Sequence, residues 1–269
     1  MKIYFLGVGE AFDEAYSNTS IVCETEGKKI LLDTGYSAIQ SIWKNFPDPN
    51  SIDCIYFTHF HADHFFGLPA LLTRWWEENR KKPLTILGQI GTEEFAKNLI
   101  EEAYPGVFWD YEGKNSDKIG EPPAQGTLKK PHFQINFIES DTSFQLEKIQ
   151  IYLARTNHSR KNLAIRIEST ESKKSFAFSG DGDFTNESLK LFSGLDFLVH
   201  EAYLFDKNIL GHGSIIGVVE NAKKQNIKNL ALVHINRIVR RSQEKEISNY
   251  IKKSKINCFI PLPGDIFEI

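Results

Sequence analysis

The chain has 269 residues, 41% hydrophobic and 25% charged, and a formal net charge of −3 from 32 basic and 35 acidic side chains. This mix excludes a largely disordered chain, and no uninterrupted apolar run approaches the ~20 residues of a membrane-spanning helix. It also lacks the overall basic field that many nucleic-acid binders carry, although a local basic rim suffices for a phosphate group, with Arg160-Lys161 and Arg237 with Arg240-Arg241 as candidates.

In chain order, runs rich in Ile, Val, Phe, Tyr and Leu predict strands over Lys2–Leu6, Ser20–Glu24, Lys29–Leu32, Cys54–Thr58, Leu84–Leu87, Phe133–Ile138, Phe144–Ala154, Leu163–Ile167, Ser175–Ser179, Phe197–His200, Leu230–Val233 and Ile256–Ile260. Helical periodicity covers Ser37–Phe46, Gly67–Asn79, Thr92–Tyr104, Glu187–Phe192, Ile215–Gln225 and Gln243–Lys253. Some strands follow one another as in hairpins, and others alternate with helices. That mixture predicts an α/β protein with two packed sheets and helices outside. The stretch Tyr111–Pro131 is polar and rich in Gly and Pro, as expected of a long loop or a lid. The start of the chain turns polar by Glu10, too early for a secretory signal, so a cytoplasmic protein is expected. Cys23, Cys54 and Cys258 are odd in number and far apart, unlike a disulfide framework.

The chemistry concentrates in Thr58-His59-Phe60-His61-Ala62-Asp63-His64, directly after a short apolar strand. His59 and His61 are two apart and point the same way in an extended segment; Asp63 and His64 follow a turn and can face a second point. Three imidazoles and a carboxylate so close together suit a metal site and make a poor core. Further donors end predicted strands: His158 after Ala154, Asp181 after Ser179, and His234 after Val233. Together they supply two metal sites and one carboxylate to bridge them. His132 and His200 read as structural or surface residues. Phe65, Phe66, Trp75, Trp76, Phe108, Trp109 and Tyr203 are aromatic candidates for a pocket, although aromatic residues at such spacing are mostly core.

These pieces resemble the metallo-β-lactamase-fold hydrolases, and the second half resembles their ribonuclease Z-like branch. The resemblance rests on Leu31-Leu32-Asp33-Thr34-Gly35, His59 to His64, Asn157-His158-Ser159, Ser179-Gly180-Asp181, His200-Glu201-Ala202, Gly211-His212-Gly213-Ser214 and Leu232-Val233-His234, in the family's order. It implies a single αββα sandwich over residues 1–269, with two mixed sheets flanked by helices. It implies that His59, His61 and His158 hold one metal, that Asp63, His64 and His234 hold the other, and that Asp181 bridges them. Asp33 would orient a ligand histidine from behind the site. Glu201 would orient His212, and His212 would protonate the leaving oxygen. In the mechanism so implied, a hydroxide formed between the metals attacks phosphorus in line, with Asp63 orienting it or accepting its proton. The donor set contains no thiolate, which suits two divalent ions, zinc foremost, with manganese and iron also suited.

Two departures from ribonuclease Z stand out. Only 22 residues separate His158 from Asp181, room for a strand, a turn and a strand but not for a tRNA-gripping arm. The family's Pro- and Arg-containing loop is replaced by Glu10–Ser20, where Asn18 and Ser20 can be aligned but the arginine is missing. Glu10, Asp13 and Glu14 are expected to make that edge acidic, against phosphate-backbone contact. A phosphodiesterase acting on a small diester rather than tRNA is therefore expected, with no membrane partner, and a homodimer is compatible with the resemblance. The alternatives are a carboxylic or sulfuric ester or lactone hydrolase on the same metal site, and a non-catalytic metal-binding scaffold.

Overall fold

A computed structural model of the chain describes residues 1–108 and 133–269. The expected loop or lid over Tyr111–Pro131, together with Trp109 and His132, lies outside the described residues. Two seven-stranded sheets face each other. The first contains β1 (Lys2–Gly7), β2 (Ser20–Thr25), β3 (Lys28–Leu32), β4 (Cys54–Phe57), β5 (Leu84–Gly88), β6 (Ile135–Glu139) and β14 (Ile266–Glu268), in the order β14-β1-β2-β3-β4-β5-β6. The second contains β7 (Ser143–Leu146), β8 (Ile149–Arg155), β9 (Leu163–Ser169), β10 (Ser175–Phe178), β11 (Phe197–Glu201), β12 (Asn229–Val233) and β13 (Asn257–Phe259), in the order β13-β12-β11-β10-β9-β8-β7. Both are mixed: β3 to β6 and β10 to β13 run parallel, and the remaining pairings are antiparallel.

The apolar runs explain the layering. Alternate residues of one strand enter different cores, as the pleat requires. Ile30 and Leu32 of β3, Tyr56 of β4, Val199 of β11 and Ala231 and Val233 of β12 meet between the sheets. Leu31, Ile55 and Phe57 instead face α1 (Ile39–Asn45), α3 (Leu68–Glu77) and α4 (Thr92–Ala103). On the outer face of the second sheet, Leu198, Leu230 and Leu232 pack with buried residues of α5 (Asn186–Phe192), α6 (Ile215–Lys224) and α8 (Glu244–Lys253). Strands covered on both faces read as continuous apolar runs.

Three places differ from expectation. The long strand expected over Phe144–Ala154 is a hairpin, β7 and β8, with Leu146 opposite Ile149. Its two-residue turn places Glu147 at φ 51°. Such turns require left-handed backbone, and Glu-Lys lacks the Asn or Gly that usually marks them. Short helices also form at α2 (Ala62–Phe65) and α7 (Arg237–Ser242), where no helix was predicted. The interval between His158 and Asp181 is the antiparallel pair β9 and β10, as expected. Among the described residues, no helix is long and apolar enough to cross a membrane.

Candidate metal centre

The predicted site residues lie at one end of the two sheets: the metal donors follow β4, β8, β10 and β12, Asp33 follows β3, and Glu201 ends β11. One group is His59, His61, His158 and Asp181; a second is Asp63, His64, Asp181 and His234, with the donor atoms of each group all within 4.8 Å of one another. All seven predicted metal ligands thus come together. Asp181 belongs to both groups. Its Oδ2 is 4.0 Å from Nε2 of His59 and of His158 and 3.5 Å from Nε2 of His234, and its Oδ1 is 3.3 Å from Nε2 of His64. His61 leaves the strand extended, and α2 then turns Asp63 and His64 back toward the second group. Gly35 permits this fold of the chain, since a Cβ there would meet the Asp63 carbonyl oxygen at 1.9 Å.

Hydrogen bonding sets which ring nitrogen each histidine offers. His64 Nδ1 donates to Asp33 Oδ2 at 2.7 Å, leaving Nε2 bare. His158 Nδ1 donates to the Gly211 carbonyl at 2.8 Å, again leaving Nε2 bare. The Thr58 hydroxyl gives its proton to Asp33 Oδ2 at 2.8 Å and therefore accepts from His59 Nδ1 at 3.1 Å. His59 Nε2 then also faces the centre without a proton. His61 Nδ1 stands 3.0 Å from His59 Nε2 and 3.1 Å from His158 Nε2. Three ring nitrogens, two of them bare, thus converge at close to the spacing of ligands on one ion, since two ligands ~2.0 Å from one tetrahedral ion are ~3.3 Å apart. In the second group the buried His64 Nε2 and Asp181 Oδ1 have no hydrogen-bond partner. The residues present therefore fit divalent metal ions.

The electrostatics divide by group. Burial, reinforced by the neighbouring imidazoles, pushes the pKa of His59 well down and that of His61 down, favouring the neutral, coordinating form. Burial has the same tendency at His64 and His234, but Asp181 and Asp63 outweigh it, lifting His64 well above the usual range and His234 to about 9. Burial likewise opposes ionisation of Asp63 and Asp181, yet the surrounding histidines hold both carboxyls below their usual range.

Beside the donors stands a third group, Glu201, His212 and His234. Glu201 is fully buried, and its Oε1 accepts from the backbone N–H of Gly182 and of Gly213, each at 3.0 Å. Its Oε2 is 3.4 Å from His212 Nδ1. Tyr203 stacks on His212 with ring centroids 4.7 Å apart, and Asn236 donates to the Tyr203 hydroxyl at 3.0 Å. Burial works against protonating His212, but the Glu201 carboxylate prevails and raises its pKa. His200, one residue earlier, points the other way and packs between Phe184 and Phe192 in the core. Phe65 and Trp75 are likewise core residues, whereas Phe66 is exposed.

The rim corrects one expectation. Glu10, Asp13 and Glu14 do not make an acidic edge, because α7 supplies an arginine to each. Arg237 meets Glu10 at 2.6 Å, Arg240 meets Asp13 at 2.5 Å and Arg241 meets Glu14 at 2.5 Å. These pairs link residues far apart in sequence and depend on α7, a helix too short for the periodicity to reveal. Three of the expected basic-rim residues are thus neutralised, and Lys161 pairs with Asp141 at 2.6 Å. Arg160 has no carboxylate partner among the described residues. Its guanidinium lies 5.5 Å from the ring of Phe60 and 5.4 Å from that of Phe95, which stack on each other.

Residues 1–256 match the family described as Anti-Pycsar protein Apyc1. The chain is 28% identical to the ribonuclease Z of Thermococcus kodakarensis over 289 aligned positions, covering 94% of this chain and 88% of that protein. Among solved structures, the metallo-β-lactamase fold protein YhfI from Bacillus subtilis superposes with a TM-score of 0.73 at 16% identity, covering 99% of this chain and 98% of that one. The short form of human tRNase Z superposes with a TM-score of 0.72 at 24% identity, covering 100% and 99%. At those identities the two structures establish the fold: a metallo-β-lactamase-like αββα sandwich.

Proposed function

The chain belongs to the Anti-Pycsar protein Apyc1 family, and from that premise we propose that it is a dinuclear phosphodiesterase acting on a small diester rather than on tRNA. In general type it is a metal-dependent hydrolase of phosphodiester bonds, related to ribonuclease Z. The observation that carries the finer reading is the position of His212. Its ring lies 5.1 Å from that of His158, a donor of the first group, and 6.0 Å from that of His234, a donor of the second. A proton donor thus stands where the two donor groups meet.

His59, His61 and His158 would hold one ion and Asp63, His64 and His234 the other, and Asp181 is within reach of both groups. Two divalent ions so held, zinc foremost, acidify water and stabilise charge on phosphoryl oxygens. The chain's own residues do the rest. Asp63 Oδ2, 3.3 Å from both His64 and His234, is placed to orient the attacking water or accept its proton. Glu201, fixed by two backbone N–H groups, keeps His212 oriented and protonated. His212 then gives a proton to the departing alkoxide. What supports a small substrate is the β9–β10 hairpin, which occupies the interval where a tRNA-gripping arm would have to emerge, together with the pairing of Arg237, Arg240 and Arg241 with carboxylates, which leaves that edge no unpaired arginine for a phosphate backbone.

Hydrolysis of a chromogenic phosphodiester by metal-stripped and zinc- or manganese-reloaded protein tests this, with His212→Ala alongside. Metal-dependent cleavage should fall about 10²- to 10⁴-fold in the variant at unchanged metal content. Turnover of a carboxylic ester or lactone without diester cleavage, in fully loaded protein, would overturn it.

A further inference from the structure

We propose that Asn162 is the positioning residue that assembles the first ion site, fastening together the three loops that carry His59 and His61, His158, and Asp181. This rests on the dinuclear reading above. Asn162 is buried, and its amide is fully used. Nδ2 donates to the Thr156 hydroxyl and to the Ser179 carbonyl, each at 2.8 Å. Oδ1 accepts from the Asp181 backbone N–H at 3.1 Å. Its own backbone carbonyl accepts from Thr156 N at 3.3 Å, and the N–H of the next residue, Leu163, donates to the Thr58 carbonyl at 3.0 Å. Thr156 lies two residues before His158, Ser179 two before Asp181, and Thr58 immediately before His59. The Thr156 hydroxyl closes the circuit by donating to the Asp181 carbonyl.

The fit is tight on the remaining side. Gly180 has φ +58°, and a Cβ there would stand 2.4 Å from Asn162 Oδ1 and 2.6 Å from Thr58 Cβ. Only an amide of this length supplies two donors and an acceptor at that point. Aspartate has the size but neither donor, and alanine has none of the three groups. The second ion site is held differently. His64 is fixed by Asp33, and the His234 backbone donates to the Val8 carbonyl. Asn162 bonds to neither. The two sites share Asp181, and Asp33 reaches both, to His64 directly and to His59 through the Thr58 hydroxyl, but the Asn162 bonds run only to segments that carry donors of the first.

Zinc titration with a chromogenic chelator, with stoichiometry by elemental analysis, separates the possibilities. Wild type should take two ions. Asn162→Asp and Asn162→Ala should retain one at near wild-type affinity and bind the other about tenfold or more weakly. The far-UV circular dichroism of the metal-free proteins should be unchanged. If an Asn162 variant does not fold, Thr156→Val, which removes the two hydrogen bonds of that hydroxyl but leaves Asn162 bonded to Ser179 and Asp181 and keeps the side-chain shape, should give a smaller loss at the same single site. Unaltered binding of both ions in the folded variants would overturn the proposal, and so would a parallel weakening of both. A wild type that takes fewer than two ions would overturn the dinuclear reading itself, and the assignment of Asn162 with it.

Discussion

Thr58 holds Asp33 twice: its backbone N–H donates to Oδ1 and its hydroxyl to Oδ2, each at 2.8 Å. Asp33 is fully buried, with its backbone at φ 60°, a conformation that is costly for a residue with a side chain. One carboxylate thereby orients His64 directly and His59 through the Thr58 hydroxyl, a donor from each ion group.

Removing that hydroxyl should therefore be felt at the metal. Thr58→Val keeps the branched shape but leaves His59 Nδ1 without its acceptor. We expect about 10- to 100-fold weaker binding of one ion, read by competition with a chelator, and little change in secondary structure.

Arg160 should act on substrate rather than on metal. A guanidinium laid on two stacked phenyl rings loses little freedom on meeting an oxygen acceptor. Arg160→Ala should raise KM for a dinucleotide diester severalfold while leaving kcat and metal content near wild type. An unchanged KM would assign the residue to surface packing.

The contact between Asp13 and Arg240 is the most enclosed of the three pairs, with the Asp13 side chain fully buried. Asp13→Asn alone should cost about 3 kcal/mol, the low end of the range for breaking a buried pair. A double-mutant cycle with Arg240→Met, followed by urea unfolding, should show strong coupling. Additive losses would mean that the pair contributes nothing beyond its separate contacts.

Stability should also depend on pH at Asp196. Burial opposes its ionisation, but Lys228 and the hydrogen bonds from Ser175 prevail and hold the carboxyl below its usual range. A depressed folded pKa stabilises the protein above the unfolded value of about 3.9 and loses that contribution as pH falls through the folded pKa. Asp196→Asn should lower the melting temperature at pH 7, with the gap to wild type closing below about pH 4.

The donors were legible in the sequence because each lies in a short segment directly after an apolar run, and because a spacing of two along an extended chain already says that His59 and His61 point together. What holds them was not. Thr58 looks like any strand-end threonine until Asp33 is brought beside it from 25 residues away. Asn162 reads as a polar loop residue, since its partners lie on two different loops. Glu10, Asp13 and Glu14 read as an acidic edge because their arginines lie 227 residues further on. Local pattern carries chemistry and strand identity; pairing between distant segments exists only once the chain has folded.

The link between the Glu10–Glu14 loop and α7 has a consequence for the order in which the centre can form. His59, His61, His158 and Asp181 have all been synthesised by position 181, whereas His234 and the arginines that fasten its loop come more than 50 residues later. At about 5–20 residues per second, that interval lasts about 3–10 s. On the dinuclear reading, a nascent chain therefore completes the donors of one group before His234, the last donor of the other, is made, and an ion taken up during synthesis would enter the first group and serve as a template around which the later segments dock.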